Sequence, residues 1–208
     1  MQHTRSKASW TYLAFIFATF IIGTVIDVVT LSEYGWAIGG LGSVLAALVA
    51  IYSMYRFTGE RVSVRSLIYL LRIAKPQLPT IWDMLFICSM LLAVVIVPLL
   101  FSSGMFNNLS ASLIFYALSA AIIPPIIEEL INRGFIQTSL ERLQYSSLLV
   151  IAVSSIIFSL SHYPTNPDVI PVTMVAGVVF GLITMRTRSV LVPFVLHGIW
   201  NFMITILV

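Results

Sequence analysis

Two adjacent carboxylates and an arginine stand inside a stretch of sequence that is otherwise almost pure hydrocarbon. Glu128 and Glu129 are followed four residues after the second acid by Arg133. A charged side chain inside a membrane span costs on the order of 3 kcal/mol, so these charges need a partner or a purpose. On a helix, Glu129 can pair with Arg133. Glu128 points in a different direction, because it lies about 100° around the helix axis from Glu129. We predict a structural Glu129–Arg133 ion pair and a Glu128 that faces a site; the alternative is an interfacial helix end that merely carries charges.

Two of the three histidines also lie in or beside apolar stretches. His162 follows Phe158 by four residues, and His197 precedes Asn201 by four. Residues four apart share one face of a helix, so each histidine has a predictable neighbour on its own helix. Imidazole and carboxamide groups at membrane depth either join helices by hydrogen bonds or form a site, and both readings are open at this point.

Counting along the predicted helices places the acid and the two histidines at one depth. In an antiparallel hairpin with its turn near Tyr145, Glu128 and His162 each lie 17 positions from the turn and are therefore level. The next hairpin turns near Arg188, which puts His197 about 14 Å from that turn at 1.5 Å per residue. We expect all three side chains to meet roughly 10 Å beneath the inner membrane surface, beside a polar break that follows His162 and lines a wet cavity.

The composition identifies the class of protein. The 208 residues are 59% hydrophobic and 9% charged, with a mean hydropathy of +1.02. A soluble domain carries about 25% charged residues, so this chain cannot cover a globule with polar surface. We predict an integral membrane protein with no nucleic-acid partner.

The apolar runs predict an all-α, polytopic membrane helix bundle that forms a single domain over residues 1–208. Each run is long enough for a helix that spans about 30 Å of hydrocarbon. We predict seven spans, near residues 10–31, 35–55 and 81–101, from 111 into the acidic motif, and near 146–161, 170–185 and 189–208. Residues 62–72 mix basic and apolar positions and predict either an eighth, amphipathic helix on the inner leaflet or a solvated loop.

The basic residues predict the orientation. With a cytoplasmic N-terminus, all 11 Lys and Arg residues fall on the inner side, as the positive-inside rule requires. Residues 134–146 are mixed and polar, so we expect the two helices that they join to project roughly 15 Å into the cytoplasm. The site would then face the cytoplasmic side of a membrane, which we expect to be a bacterial cell membrane.

Together the motifs resemble a known family. Glu128-Glu129-x-x-x-Arg133, Phe158-x-x-x-His162 and His197-x-x-x-Asn201 are similar to the three motifs of the CAAX-protease and bacteriocin-processing (CPBP, or Abi) family, which includes the type II CAAX prenyl endopeptidase. The resemblance covers about residues 111–205, which it implies to be the catalytic core. The family is usually described with eight helices.

The resemblance implies an intramembrane endopeptidase. Glu128 with His162 would activate a water, and His197 with Asn201 would form an oxyanion hole. Glu129 and Arg133 would hold Glu128 in position, and Phe158 would pack beside His162. The expected substrate is a peptide or a lipid-modified peptide, with membrane lipids as the surroundings and the oligomeric state undetermined.

A metal is the competing mechanism. Glu128, His162 and His197 would supply two imidazoles and one carboxylate, which is a known catalytic zinc set. Resemblance to the prenyl endopeptidase favours a glutamate site without a cofactor, and a divalent metal such as zinc is the alternative.

Two other classes of function use the same residues. A bacteriocin immunity or regulatory protein of this family would need the fold without proteolysis. A small transporter would use the polar cavity, although the sequence lacks the internal repeats that many transporters show. The Gly177/Gly181 pair predicts close helix packing, either within the chain or between two copies.

Overall fold

The computed structural model describes residues 68, 72, 73, 75–77, 80–101, 110–162 and 167–207, which form helices and turns without a strand. In chain order they are α1 (Ile81–Phe101), α2 (Ala111–Glu129), a π-helical segment (Leu130–Gln137), α3 (Thr138–Arg142), α4 (Ser147–Leu160), a 3-10 turn (Pro167–Val169), α5 (Ile170–Thr187) and α6 (Leu191–Leu207). The all-α class is confirmed over these residues. The first two predicted spans and most of the amphipathic segment lie outside them.

Five of the predicted spans coincide with described helices. Two helical stretches, Ala111–Arg142 and Pro167–Thr187, are long and apolar enough to cross a membrane. Three more apolar helices are shorter: Ile81–Val97, Ser147–Leu160 and Leu191–Leu207. The total of seven spans and the cytoplasmic N-terminus stay predictions.

Polar side chains fix several helix ends. Ser110 and Ser146 lie directly before α2 and α4, and each hydroxyl accepts a hydrogen bond from the backbone N–H three residues later. Such capping satisfies one of the donors that the first turn of a helix leaves unpaired. At the C-terminal end of α5, Arg188 adopts the left-handed conformation with φ of 54°, which ends the helix and directs the chain into α6.

The π-helical segment directly follows the two glutamates. Its wider turn changes which backbone groups pair, and two side chains donate hydrogen bonds to backbone carbonyls in this region. Asn132 Nδ2 donates to the Glu128 carbonyl over 2.9 Å, and Thr138 Oγ1 donates to the Arg133 carbonyl over 3.1 Å. Short π segments inside helices frequently occur at functional sites.

The helices pack as neighbouring pairs, with α2 against α6, α4 against α5 and α1 against α6. A buried cluster of Phe180, Ile183 and Leu196 joins α5 to α6, and Phe86 and Met90 of α1 pack against it. This core holds α6 between α1 and α5 and fixes the height of the residues that α6 carries.

Residues 72, 73 and 75–77 form a short strap that lies against one end of the bundle. The backbone of this strap bonds to the α5–α6 turn, through Gln77 N–H to the Thr187 carbonyl and Val190 N–H to the Arg72 carbonyl. The Arg72 guanidinium forms a two-pronged ion pair with Glu141 at the end of α3. Arg188 also approaches Glu141, at 3.4 Å.

The segment that was expected to project into the cytoplasm is largely buried. Residues 133–140 are all buried, because α4, α5 and the end of the strap surround them. Their polar side chains find partners inside the protein; Gln137 Nε2, for example, donates to the Gly181 carbonyl over 3.0 Å. Polar composition in this segment therefore reflects hydrogen bonds within the protein, and the projection of about 15 Å into the cytoplasm stays a prediction.

The small residues of α5 serve contacts within the chain. A Cβ added at Gly177 would lie 3.0 Å from both Cα and Cβ of Ser155, which shows how closely α4 and α5 approach. Gly181 lies beside Gln137 and Ile151. Glycine at position 177 is therefore a packing requirement of the α4–α5 pair.

We predict that Gly177→Leu destabilises the protein by about 1–3 kcal/mol, because the added side chain forces α4 and α5 apart. Thermal unfolding of the purified protein in detergent measures the effect. The control is Val178→Leu, at a partly exposed position on the same helix, which should unfold at the wild-type temperature. A Gly177→Leu protein with wild-type stability but an altered oligomeric state would instead assign Gly177 to an interface between copies.

Candidate active site

Three helical units bring a carboxylate and two imidazoles together. Glu128 comes from the last turn of α2, His162 from the turn directly after α4, and His197 from the second turn of α6. Glu128 Oε2 lies 3.7 Å from His162 Nε2 and 3.8 Å from His197 Nε2. These separations exceed a direct hydrogen bond, and Glu128 Oε2 is itself buried.

Both imidazole rings are held by their other nitrogen. His162 Nδ1 donates to the Phe158 carbonyl over 2.9 Å, and His197 Nδ1 donates to Glu129 Oε1 over 3.0 Å. Because a carbonyl oxygen can only accept, Nδ1 of His162 carries a proton. Each ring therefore presents Nε2 towards Glu128.

The Glu129–Arg133 ion pair predicted from the four-residue spacing is present, with 3.4 Å between Arg133 Nε and Glu129 Oε2. The side chains are 0% and 1% exposed. The other oxygen of Glu129 binds His197, so the pair orients this histidine. The predicted role of this pair was to hold Glu128 in position, because the four-residue spacing reports only on neighbours within one helix.

Aromatic rings fill the space around these groups. Phe158 makes edge contacts with His162 and His197, at centroid distances of 5.0 and 5.8 Å, and the Arg133 guanidinium lies 4.7 Å from its ring centre. Phe180 stacks on His197 at 5.3 Å. Sequence reasoning missed Phe180, although it is the one aromatic residue of α5.

Burial divides the site into an open and a closed side. The Glu128 and His162 side chains are 27% and 24% exposed, whereas His197 is 6% exposed. Glu129 and Arg133 are shielded behind His197. A substrate can therefore approach from the side of α2 and the α4 terminus.

Asn201 lies one helical turn beyond His197 and binds α2. Its Nδ2 donates to the Ala120 carbonyl over 3.2 Å. The four predicted catalytic residues thus divide into three whose reactive atoms adjoin and one whose amide bonds to a neighbouring backbone.

The residues fit a metal only in part. Within the described ranges, no group of three or more His, Cys, Asp or Glu side chains is arranged to hold a metal ion. The fixed Nδ1 atoms nevertheless resemble those of metal-binding histidines, which donate their other ring N–H to a carboxylate or carbonyl.

We predict that Arg133→Met destabilises the protein by about 3–5 kcal/mol, because it leaves the Glu129 carboxylate buried without its cation. Thermal unfolding in detergent measures this loss. Lys75→Met, at an exposed position, is the control and should change stability by less than about 0.5 kcal/mol. Equal unfolding temperatures for the two variants would contradict a structural role for the Glu129–Arg133 pair.

Comparison with known proteins finds one family model that is similar to this part of the chain. Residues 110–203 match the family model described as type II CAAX prenyl endopeptidase Rce1-like. No match was found among curated proteins or among solved structures. The matched residues include all three motifs and every side chain of the site described above. Residues 110–203 are therefore similar to the type II CAAX prenyl endopeptidases, the family that the motifs resemble.

Proposed function

We propose that this protein is an intramembrane endopeptidase in which Glu128 and His162 activate a water to hydrolyse a peptide bond. The observation that carries the proposal is the position of Glu128 Oε2, 3.7 and 3.8 Å from two imidazole nitrogens whose rings are fixed from behind. A carboxylate beside oriented imidazoles, on the open side of a buried site, is suited to general-base chemistry.

The reaction begins with a water that is hydrogen-bonded to both Glu128 and His162. Glu128 accepts one proton from the water as its oxygen attacks the scissile carbonyl carbon, and the carbonyl oxygen becomes an oxyanion. The proton then passes to the amide nitrogen, the C–N bond breaks, and a carboxylic acid and an amine leave; the acid then releases its proton to solvent. His162 orients the water through Nε2, because its Nδ1 is committed to the Phe158 carbonyl.

His197 and Asn201 are the proposed oxyanion donors. The Glu129 carboxylate holds Nδ1 of His197, so that the ring presents Nε2 towards the reacting group. The Asn201 amide has two N–H groups, and the bond to Ala120 uses one of them. Each donor of this kind contributes roughly 3 kcal/mol in other hydrolases.

The proposed substrate is a lipid-modified peptide that reaches the site from the cytoplasmic side. The matching family acts on prenylated proteins that end in a CAAX sequence. An open apolar groove of about 330 Å³ between α2 and α6 could receive a hydrocarbon chain, and it is lined by Leu118, Ala121, Phe194, Val195, Gly198, Ile199 and Phe202.

We expect Glu128→Gln to lower kcat on a prenylated CAAX peptide at least a hundredfold, because it removes the base at nearly constant size. His162→Gln should have an effect of similar order. Product formation by purified protein in detergent, followed by mass spectrometry, is the measurement. Ile126→Ala, two residues before Glu128 and partly exposed, is the control and should retain turnover.

Wild-type product levels from a folded Glu128→Gln protein would contradict the proposed base. The variant also separates proteolysis from immunity. Cells that express Glu128→Gln and keep full protection against a co-encoded peptide would show that binding, rather than cleavage, carries the function.

A metal-dependent reaction is the second candidate. It is favoured by the two histidines whose Nδ1 atoms are held by hydrogen bonds. If present, the metal would be held by Glu128, His162 and His197 and would polarise the scissile carbonyl. We expect the metal-free reaction, so turnover should survive dialysis against EDTA. Loss of turnover that added Zn²⁺ restores would instead assign the site to a metal.

A further inference from the structure

Two consecutive prolines, Pro124 and Pro125, lie inside α2 one turn before Glu128. A helical residue normally donates its N–H to the carbonyl four residues earlier, and proline has no N–H to donate. The carbonyls of Ala120 and Ala121 therefore lose their ordinary partners. In a membrane, such groups are satisfied by a neighbouring helix, by side chains, by ordered water or by a local change of helix geometry.

Both carbonyls meet α6. Asn201 Nδ2 donates to the Ala120 carbonyl over 3.2 Å. At the second carbonyl, a Cβ added to Gly198 would lie 2.5 Å from the Ala121 oxygen, so only a glycine lets the two backbones approach this closely. Contacts between a Cα–H and a carbonyl oxygen recur at such close helix interfaces.

We infer that Asn201 and Gly198 dock α6 onto the two carbonyls exposed by Pro124 and Pro125, so that Asn201 positions α6 with one amide N–H besides the oxyanion role proposed for the other. The docking sets the register between α2 and α6. Glu128 follows the proline pair by one turn, and His197 directly precedes Gly198. The register therefore determines the 3.8 Å separation between Glu128 Oε2 and His197 Nε2.

The inference assigns each proline to one contact. Pro124 frees the Ala120 carbonyl, which binds Asn201, and Pro125 frees the Ala121 carbonyl, which faces Gly198. A proline-to-alanine change restores a backbone N–H and returns one carbonyl to its own helix. The two prolines should therefore couple to different residues of α6.

The stability test crosses Asn201→Ala and Gly198→Ala with Pro124→Ala and Pro125→Ala, and thermal unfolding in detergent is the readout. Asn201→Ala should lower the unfolding temperature by about 2–4 °C, and this loss should shrink in Pro124→Ala but persist in Pro125→Ala. Gly198→Ala should be rescued in part by Pro125→Ala alone. Losses of unfolding temperature that are the same in every proline background would overturn the inference. If one proline variant does not fold, the comparison in the other proline variant is sufficient.

Turnover distinguishes positioning from direct oxyanion donation. This arm rests on the proposed function, whereas the stability test needs no activity. If Asn201 acts through register, part of the kcat lost in Asn201→Ala should return in the Pro124→Ala background, with KM little changed. An equal loss of kcat in both backgrounds would overturn the catalytic part and leave Asn201 as a direct donor.

Discussion

The carboxylate of Glu129 is the interaction on which the arrangement of the site depends. One oxygen accepts a hydrogen bond from His197 and the other approaches the Arg133 guanidinium, and all of these groups lie out of reach of solvent. A buried charge without a partner is strongly unfavourable, so the acid, the arginine and the histidine can occupy this region only together. Phe158 and Phe180 then cover the guanidinium and the imidazole.

The meeting of Glu128, His162 and His197 could be predicted because helical rise is constant. Counting residues from two turns was enough to place them at one depth, although the chain contains no local motif that joins them. The ion pair of Glu129 with Arg133 followed from the same regularity, since a spacing of four brings side chains together on one helix face.

The sequence did not reveal those contacts between helices that depend on which face each helix turns towards its neighbour. The bond from His197 to Glu129 and the stacking of Phe180 depend on how α5 and α6 are rotated about their axes. The amphipathic pattern that usually reports rotation is weak in helices that are apolar all round. The bond from Asn201 to Ala120 has a sequence signal, the proline pair, which becomes informative only when the facing helix is known. The burial of residues 133–140 also went unforeseen, because polarity does not distinguish a buried, bonded side chain from a solvated one.

The π-helical segment has a consequence for the polar residues that continue beyond the site. Glu129, Arg133, Gln137 and Glu141 recur every fourth residue. In an α-helix each step of four overshoots a full turn by about 40°, so such a row would wind around the helix. A π turn is wider and the same step falls short of a full turn, so the two deviations offset one another. The row can then run straight along one face, from the His197 contact to the ion pair with Arg72. Removing one residue from this segment would restore ordinary helical phase and turn the two ends of the row away from each other, even though every polar side chain would still be present.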